Sequence, residues 1–299
     1  MSNPTKKQTY GLGHEKSATS SHASRTAEHD AAFLLPHLKP DFHILDLGCG
    51  PGTITTSLAR YVPSGHVTGI DISPKVLTEA AERAAALPGG FPNNVEFHAV
   101  DVLVPGYSST VPQKGETADD PIAVPEAWKA TFDVIYESQV FIHLPDPVGA
   151  MRKLIPCLKP GGMFALRDAD CATFIFHPDP SGKLRRWSEL QGVMIAGLGA
   201  PSSYGGRDLH LYARDAGLDR EKMTLSAHAT VYSGPEARRW WGELHAERFS
   251  KGQSVRKNLV ERCGIKEEEC DEVREALLKW VEDPDGVFWL TGFEVIARV

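Results

Sequence analysis

Between residues 43 and 167, short apolar runs typical of strands alternate with segments in which apolar residues recur at helical spacing. Short apolar runs, several of them rich in Val and Ile, predict five β-strands, at 43–46, 66–71, 95–101, 132–137 and 163–167. Between these runs apolar residues recur at helical spacing, as Ile54, Leu58 and Tyr61 do. Strands that alternate with helices through short links predict a parallel sheet with helices on both of its faces.

The remaining segments do not follow this rhythm. Proline, glycine and serine dominate 105–125, which predicts an extended surface loop inserted before the fourth strand. Residues 169–205 and 235–282 carry aromatic residues and helical patterning, and a strand at 223–231 lies between them. The chain finishes in an apolar strand at 287–297. Before the first strand, a helix is predicted at 20–38, preceded by a polar and flexible segment.

Composition excludes several classes of protein. The chain has 299 residues, of which 41% are hydrophobic, and its net charge is −7, which argues against a nucleic-acid partner. No apolar run approaches the roughly 18 residues of a membrane span, and the polar N-terminus lacks a secretory signal. The five cysteines are odd in number and show no C-x-x-C spacing. They predict a reduced, cytoplasmic location and no metal site. The oligomeric state is not predicted.

A glycine-rich turn follows the first strand. Asp46 precedes glycines at every second position, Gly48, Gly50 and Gly52, and a second acid, Asp71, ends the next strand. Glycine tolerates positive φ and lets the backbone approach a ligand closely. An acid at the tip of the second strand is placed to accept hydrogen bonds from two ribose hydroxyls. This half-unit predicts a nucleotide-like ligand at the carboxyl edge of the sheet.

The spacing of the glycines discriminates between ligands. The dinucleotide fingerprint G-x-G-x-x-G needs a third glycine at position 53, where this chain has Thr53. Asp46 would be a poor neighbour for a pyrophosphate but suits a ligand with an amino group. An NAD-dependent oxidoreductase is therefore disfavoured, although it stays an alternative.

The pattern D-x-G-x-G-x-G over 46–52 resembles motif I of the class I S-adenosylmethionine (SAM) methyltransferases. The resemblance implies an α/β fold, a Rossmann-like sheet of seven mostly parallel strands whose last strand is antiparallel and inserted between the fifth and sixth. It implies a methyltransferase domain over 41–299 with helical acceptor-cap insertions at 169–205 and 235–282, preceded by a flexible N-terminus and lid helix over 1–40. SAM would be the cofactor and S-adenosylhomocysteine its product. The residues implied to bind it are Asp46, Gly48, Gly50, Gly52, Thr53, Asp71 with Ile72 at the ribose, Asp101 with Val102 at the adenine, and Glu137 with Ser138 at the methionine end.

Two further segments narrow the resemblance. The N-terminal region with Tyr10, His22 and Arg25, and the segment from Leu166 to Asp170, are similar to fungal enzymes loosely grouped with the ubiquinone/menaquinone-biosynthesis C-methyltransferases. Some of these fungal proteins S-methylate thiols of epidithiodiketopiperazine toxins such as gliotoxin. The resemblance therefore implies that Tyr10, His22 and Arg25 close over SAM, and that the acceptor is a small-molecule thiol of secondary metabolism.

Several residues are candidates for work on the acceptor. His143 follows the fourth strand and could act as a base or position the acceptor, while Arg167 and Asp170 follow the fifth strand and either pair with each other or contact the acceptor. Aromatic residues that could line an apolar acceptor pocket, or could equally be core, are Phe141, Phe174, Phe176, Trp187 and Trp241.

The sequence leaves two alternatives of function open. The acceptor atom could be oxygen, nitrogen or carbon of another small metabolite instead of sulfur. A protein of this fold could also be a non-catalytic regulatory subunit, although its cofactor motif would then be expected to be broken, and here it is intact.

Overall fold

The computed structural model describes residues 24–110 and 121–299. Eight strands form one sheet in the described residues, in the order β3-β2-β1-β4-β5-β8-β6, with β7 paired to β8. The first five strands are parallel and the rest are antiparallel to their neighbours. The strands are β1 His43–Leu47, β2 His66–Asp71, β3 Val95–Ala99, β4 Phe132–Ser138, β5 Leu158–Ala169, β6 Ile175–His177, β7 Met223–Ser233 and β8 Val287–Arg298.

The predicted α/β fold class is confirmed, including the position of the final strand. β8 pairs antiparallel with β5 along one edge and with β7 along the other, so that the last strand of the chain is inserted between them. The count of seven strands was one short. The additional strand is β6, three residues that continue the β5 edge of β8 beyond the end of β5, and a run this short carries no readable periodicity.

Nine α-helices cover the sheet in the described residues. They are α1 Ala27–Asp30, α2 Thr53–Leu58, α3 Pro74–Ala85, α4 Pro147–Leu154, α5 Lys183–Gly197, α6 Leu209–Asp215, α7 Pro235–Arg248, α8 Ser254–Glu261 and α9 Glu267–Glu282. None of the helices described is long and apolar enough to span a membrane.

The predicted helix at 20–38 is much shorter in its described part. α1 ends at Asp30, and a short 3-10 turn, Leu35–His37, follows. The reason is tertiary, because the carbonyl of Asp30 accepts a hydrogen bond from the Tyr136 hydroxyl at 3.0 Å. That carbonyl is therefore engaged by the sheet at the point where the helix stops.

The predicted surface loop at 105–125 is packed at its far end. The Ile122 amide donates to the Ala99 carbonyl at 3.1 Å, and the Asp101 amide donates to the Ile122 carbonyl at 2.8 Å. Val124 is fully buried in the core below. Residues 121–125 thus continue the edge of the sheet next to β3, because their apolar side chains are buried there. Residues 111–120 lie outside the described part.

A second core holds the helices of the C-terminal half together. It contains Trp187 of α5, Trp241 of α7, Trp280 of α9 and Phe288 of β8. Arg256 of α8 ties this layer to α9, since its buried guanidinium donates to Glu267 Oε2 at 2.6 Å and to the Phe249 carbonyl at 2.9 Å. It also donates to Asp271 at 2.5 Å.

Replacing this arginine should loosen the helical layer. Arg256→Met keeps most of the side-chain volume but removes these charge-assisted hydrogen bonds and leaves a buried carbonyl without a donor. We expect the free energy of unfolding in urea to fall by about 2–3 kcal/mol. The matched change on an exposed arginine of the same segment, Arg262→Met, should stay within about 0.5 kcal/mol of the wild type. Equal effects of the two changes would contradict the assigned role of Arg256.

Candidate active site

The glycine turn after β1 supplies an open cradle at the carboxyl edge of the sheet. Gly48, Gly50 and Gly52 all have positive φ, at 66°, 52° and 73°. A Cβ on Gly48 would lie 2.4 Å from Val140 Cγ2, and one on Gly52 would lie 2.7 Å from Phe97 Cζ. A Cβ on Gly50 would meet no heavy atom within 4 Å among the described residues. Two of the glycines therefore permit close packing, and Gly50 leaves backbone exposed to a ligand.

Asp71 holds this turn against the end of β2. Its Oδ2 accepts a hydrogen bond from the Gly50 amide at 3.1 Å, and its Oδ1 accepts one from the Ser73 amide at 2.9 Å. Asp71 and the next residue, Ile72, are half-buried at the mouth of the cradle, as is Thr53 at its base. The acid thus has partly accessible oxygens beside the exposed backbone of Gly50.

Asp46 lies beneath the turn. It is 3% exposed, and the Thr55 hydroxyl donates to its Oδ2 at 2.6 Å. Burial raises the pKa of Asp46 to about 7, against the opposing effect of that hydrogen bond. The side chain therefore supports the loop from below, and its carboxyl group titrates near neutral pH.

Asp101 continues the same edge beyond β3. The register pairs Asp71 with Ala99, so that Asp101 stands two residues further along the neighbouring strand. Its Oδ1 accepts a hydrogen bond from the Leu103 amide at 2.8 Å, while Val102 is buried in the core. The position of Asp101 agrees with a role beside the cradle, which stays a prediction.

Glu137 does not have the position predicted for a ligand contact. It is fully buried, with Oε1 accepting from the Arg167 amide at 2.9 Å and Oε2 from the Val140 amide at 3.1 Å. Burial, followed by the nearby Asp168, holds the pKa of Glu137 well above its usual range. Strand alternation turns this side chain into the protein, where it braces the ends of β4 and β5; Ser138 beside it is buried too.

An aromatic cavity of about 390 Å³ opens at this edge of the sheet. We use the name aromatic cavity for the space whose lining includes Arg25, Asp30, Gln139, His143, Arg167, Phe174, Trp187, Gln191, Tyr232, Trp240, Trp241, His245 and Arg248. Of the five aromatic residues predicted to line an acceptor pocket, Phe174, Trp187 and Trp241 do so.

Phe141 and Phe176 do not line the aromatic cavity, and the alternative of a core position, which the sequence left open, fits them here. Phe141 is buried in the main core with the side chains of the central strands. Phe176 lies in the second core, with its ring centroid 4.4 Å from that of Phe288. Their positions follow from tertiary packing, which a count of nearby aromatic residues does not capture.

Arg167 and Asp170 do not pair with each other, although the sequence left that pairing open. Arg167 binds Asp30 Oδ1 at 2.9 Å, and Asp170 forms an ion pair with Arg207. Residues three apart on an extended chain point to opposite faces, which explains the separation. Arg167 lines the aromatic cavity, whereas Asp170 is buried away from it.

His143 lines the aromatic cavity together with Arg25. Burial, and then the charge of Arg25, lowers the pKa of His143 to about 4. The imidazole is therefore neutral at physiological pH and is a weak base, although it can still orient an acceptor by hydrogen bonding. Of the predicted N-terminal contacts, Arg25 is placed at this cavity, while Tyr10 and His22 lie outside the described residues.

Sequence reasoning missed several residues of the cavity. Tyr232, Trp240 and His245 reach it from the end of β7 and from α7, and Gln191 reaches it from α5. Trp240 packs against the second core, which contains Trp241, and both tryptophans line the cavity. Within the described residues, no group of His, Cys, Asp and Glu side chains could hold a metal ion.

Comparison with known proteins identifies the fold and the chemistry. The family described as a methyltransferase domain matches residues 38–191, which is more than half of the chain. The chain belongs to this methyltransferase family. A methyltransferase of Schizosaccharomyces pombe, named as uncharacterized, is 29% identical over all of this chain and 99% of its own length. The Aspergillus luteorubrus protein ltbC, named as a probable methyltransferase, is 29% identical over 96% of each chain.

Among solved structures, the YcgJ protein of Bacillus subtilis superposes with a TM-score of 0.52 at 13% identity, covering 91% of this chain and 98% of that one. At this level of identity the likeness concerns the fold. Together with the family match, it agrees with a Rossmann-like methyltransferase sheet.

The methyltransferase uses SAM, and the residues of the cradle fit this cofactor. The side-chain-free face of Gly50 leaves room for a ligand, and Asp71 presents a carboxylate next to it. SAM supplies a methyl group that its sulfonium already activates for transfer. What the chain must add is a site that holds the cofactor and an adjoining space that holds the acceptor in line.

The raised pKa of Asp46 predicts a measurable pH dependence of stability. The ordinary aspartate pKa is about 4, so between about pH 4 and pH 7 the folded protein keeps a proton on Asp46 that the unfolded chain has released. The contribution of Asp46 to stability therefore falls as pH rises through this window. Asp46→Asn cannot ionise, and its free energy of unfolding relative to wild type should rise by up to about 1.4 kcal/mol per pH unit there.

Urea unfolding of both proteins at several pH values between 4 and 8 measures this difference. Thr55→Val serves as the companion variant, because it removes the hydrogen bond that favours the carboxylate and should extend the window to higher pH. A difference between Asp46→Asn and wild type that stays constant from pH 4 to pH 7 would show that folded Asp46 is ionised throughout.

Proposed function

We propose that this methyltransferase transfers the methyl group of SAM to a thiol of a small, largely apolar metabolite held in the aromatic cavity. The observation that carries the proposal is the wall between cradle and cavity. Val140 packs against Gly48 of the cradle, while Gln139, its neighbour, lines the cavity. A ligand in the cradle and a molecule in the cavity would therefore meet beside this shared two-residue border, as direct transfer of the methyl group to the nucleophile requires.

The backbone of that wall is fixed. Gln139 has a φ of 64°, unusual for a residue with a side chain, and its amide donates to the Arg167 carbonyl at 2.9 Å. The Val140 amide donates to Glu137. Strained backbone that its surroundings hold in place is a common feature of functional sites, and it supports an arrangement in which cofactor and acceptor keep a set distance.

The chemistry of the cavity favours an acceptor that needs little help from a base. His143 is a weak base, and the acid among the described lining residues, Asp30, is paired with Arg167. A thiol has an ordinary pKa of about 8.5, against about 10 for a phenol, and its thiolate is a strong nucleophile. Arg25 and Arg167 favour a negative charge in the cavity. In the transfer, the thiol proton leaves to solvent, and the sulfur bonds to the methyl carbon as the carbon–sulfonium bond breaks.

A dithiol of the epidithiodiketopiperazine type is the sharpest candidate, because the resemblance to the fungal thiol methyltransferases implies it. Methylation of a phenol oxygen, an amine nitrogen or a carbon of another metabolite is the alternative for the same site. The NAD-dependent alternative predicts a different cofactor, so that cofactor affinity separates it from methyl transfer. The regulatory alternative predicts that no acceptor is methylated.

Asp71→Ala should weaken SAM. The change removes a carboxylate that we assign to the ribose hydroxyls, and a charge-assisted hydrogen bond contributes about 1.5–3 kcal/mol, so we expect the Kd for SAM in calorimetry to rise at least tenfold. Glu82→Ala, on the exposed face of α3, is the matched control and should leave the Kd unchanged. An unaltered affinity in Asp71→Ala would refute the ribose role, and tighter binding of NAD than of SAM would favour an oxidoreductase.

An acceptor panel tests the thiol. With SAM present, mass spectrometry should show one or two added methyl groups on a reduced dithiol diketopiperazine, and one on thiophenol, whereas phenol and aniline should react at least tenfold more slowly. The rate with thiophenol should not depend on a histidine base, so that His143→Gln should retain most of kcat. Faster methylation of phenol than of thiophenol would move the acceptor assignment to oxygen. SAM binding without methylation of any acceptor would favour the regulatory alternative.

A further inference from the structure

Three ring nitrogens at one end of the aromatic cavity lack hydrogen-bond partners in the described part of the chain. They are Nε1 of Trp187, Nε1 of Trp241 and Nε2 of His245. These residues are 1%, 8% and 4% exposed, so that bulk water does not supply the missing hydrogen bonds. Buried polar groups in native proteins are nearly always paired, and unpaired ones call for an explanation.

The three rings form one cluster. The ring centroid of His245 lies 4.8 Å from that of Trp187 and 4.2 Å from that of Trp241. All three side chains line the aromatic cavity. The unpaired nitrogens therefore belong to three neighbouring residues of the cavity lining and are not scattered through the core.

The tryptophans are held rigidly. The ring of Trp241 stacks against Tyr232, at 4.2 Å and 14°, and against Phe288, at 5.0 Å and 24°. Trp187 packs edge-on against Phe176 at 5.2 Å. Neither indole can turn its N–H toward another partner without breaking this packing. Groups fixed in advance in this way suit recognition, because little ordering is lost when the ligand binds.

An indole N–H donates and cannot accept, so the missing partner must be a hydrogen-bond acceptor. The charges of the cavity point the same way, since Arg25 and Arg248 are among its described lining residues in addition to Arg167, which is paired with Asp30. Burial keeps His245 neutral by holding its pKa well below the usual range. An ammonium group cannot accept a hydrogen bond from an indole N–H, whereas a carbonyl or carboxylate oxygen can.

We infer that the acceptor carries, apart from the atom that is methylated, a carbonyl or carboxylate oxygen that Trp187, Trp241 and His245 recognise. This rests on the proposed function, in which the aromatic cavity holds the acceptor. The three residues would be specificity determinants that orient the acceptor with its nucleophile toward the cradle. A site that hydrogen-bonds a ligand discriminates strongly against analogues that lack the group, because its own polar atoms are then left unpaired.

The test uses three aryl thiols that differ only in the para substituent, 4-mercaptobenzoate, 4-mercaptobenzamide and 4-methylbenzenethiol, with the protein saturated in S-adenosylhomocysteine. Calorimetry should show the benzoate or the benzamide binding at least tenfold more tightly than the methyl compound. The benzoate and benzamide arms distinguish an anionic from a neutral oxygen. Trp187→Phe and Trp241→Phe, which keep an aromatic ring but remove the N–H, should each reduce this ratio at least threefold.

Trp289→Phe is the matched control, because Trp289 is not among the residues that line the aromatic cavity and its nitrogen is not among the unpaired buried atoms. It should leave the ratio unchanged. Equal binding of all three thiols, or a ratio that neither the Trp187 nor the Trp241 change alters, would overturn the inference and indicate that the nitrogens face trapped water. Because binding is measured without turnover, a tenfold ratio with no methyl transfer would refute the proposed thiol chemistry and leave the oxygen recognition standing.

Discussion

The buried ion pair between Arg167 and Asp30 is the interaction on which the site depends. It joins the end of β5 to α1 across 137 residues of sequence, with both side chains almost completely removed from water. Glu294 of β8 lies 3.7 Å from the same guanidinium. A buried pair of this kind costs desolvation energy and adds little net stability, but loss of one partner leaves a buried charge unpaired. The main consequence of this ion pair is therefore that it fixes the position of α1 relative to the end of β5.

The backbone of Arg167 extends this constraint to the wall between cradle and cavity. Its amide donates to Glu137, and its carbonyl accepts from Gln139. Room for the guanidinium comes from Gly292 on β8, where a Cβ would lie 3.0 Å from Nε of Arg167. Arg167 thus fixes the ends of β4 and β5, helix α1 and the strained peptide at Gln139. A shift of Arg167 would therefore change the separation between the cradle and the aromatic cavity.

The parts of the structure that the sequence predicted are those governed by local rules. The strands, the glycine turn and Asp71 were found because alternation, glycine conformation and strand-end position are readable within about 30 residues. The partners of Arg167 and Asp170 were not found, since they come from segments far away in sequence and depend on which face of the extended chain each side chain occupies. The buried position of Glu137 near the end of β4 was not predicted for the same reason, because it depends on the backbone amides of Val140 and Arg167 that donate to its carboxylate.

The same contrast between local and long-range determinants separates the cradle from the aromatic cavity. The cradle is built from consecutive elements, β1, its turn and β2, so its geometry is a property of one stretch of chain. The aromatic cavity is assembled from α1, α5, β7 and α7, which meet only after the whole chain has folded. A change in α7 can therefore alter the acceptor without touching the cofactor. In the proposed function, a cavity that favours negative charge lowers the cost of ionising the nucleophile, so that positioning contributes more than proton abstraction.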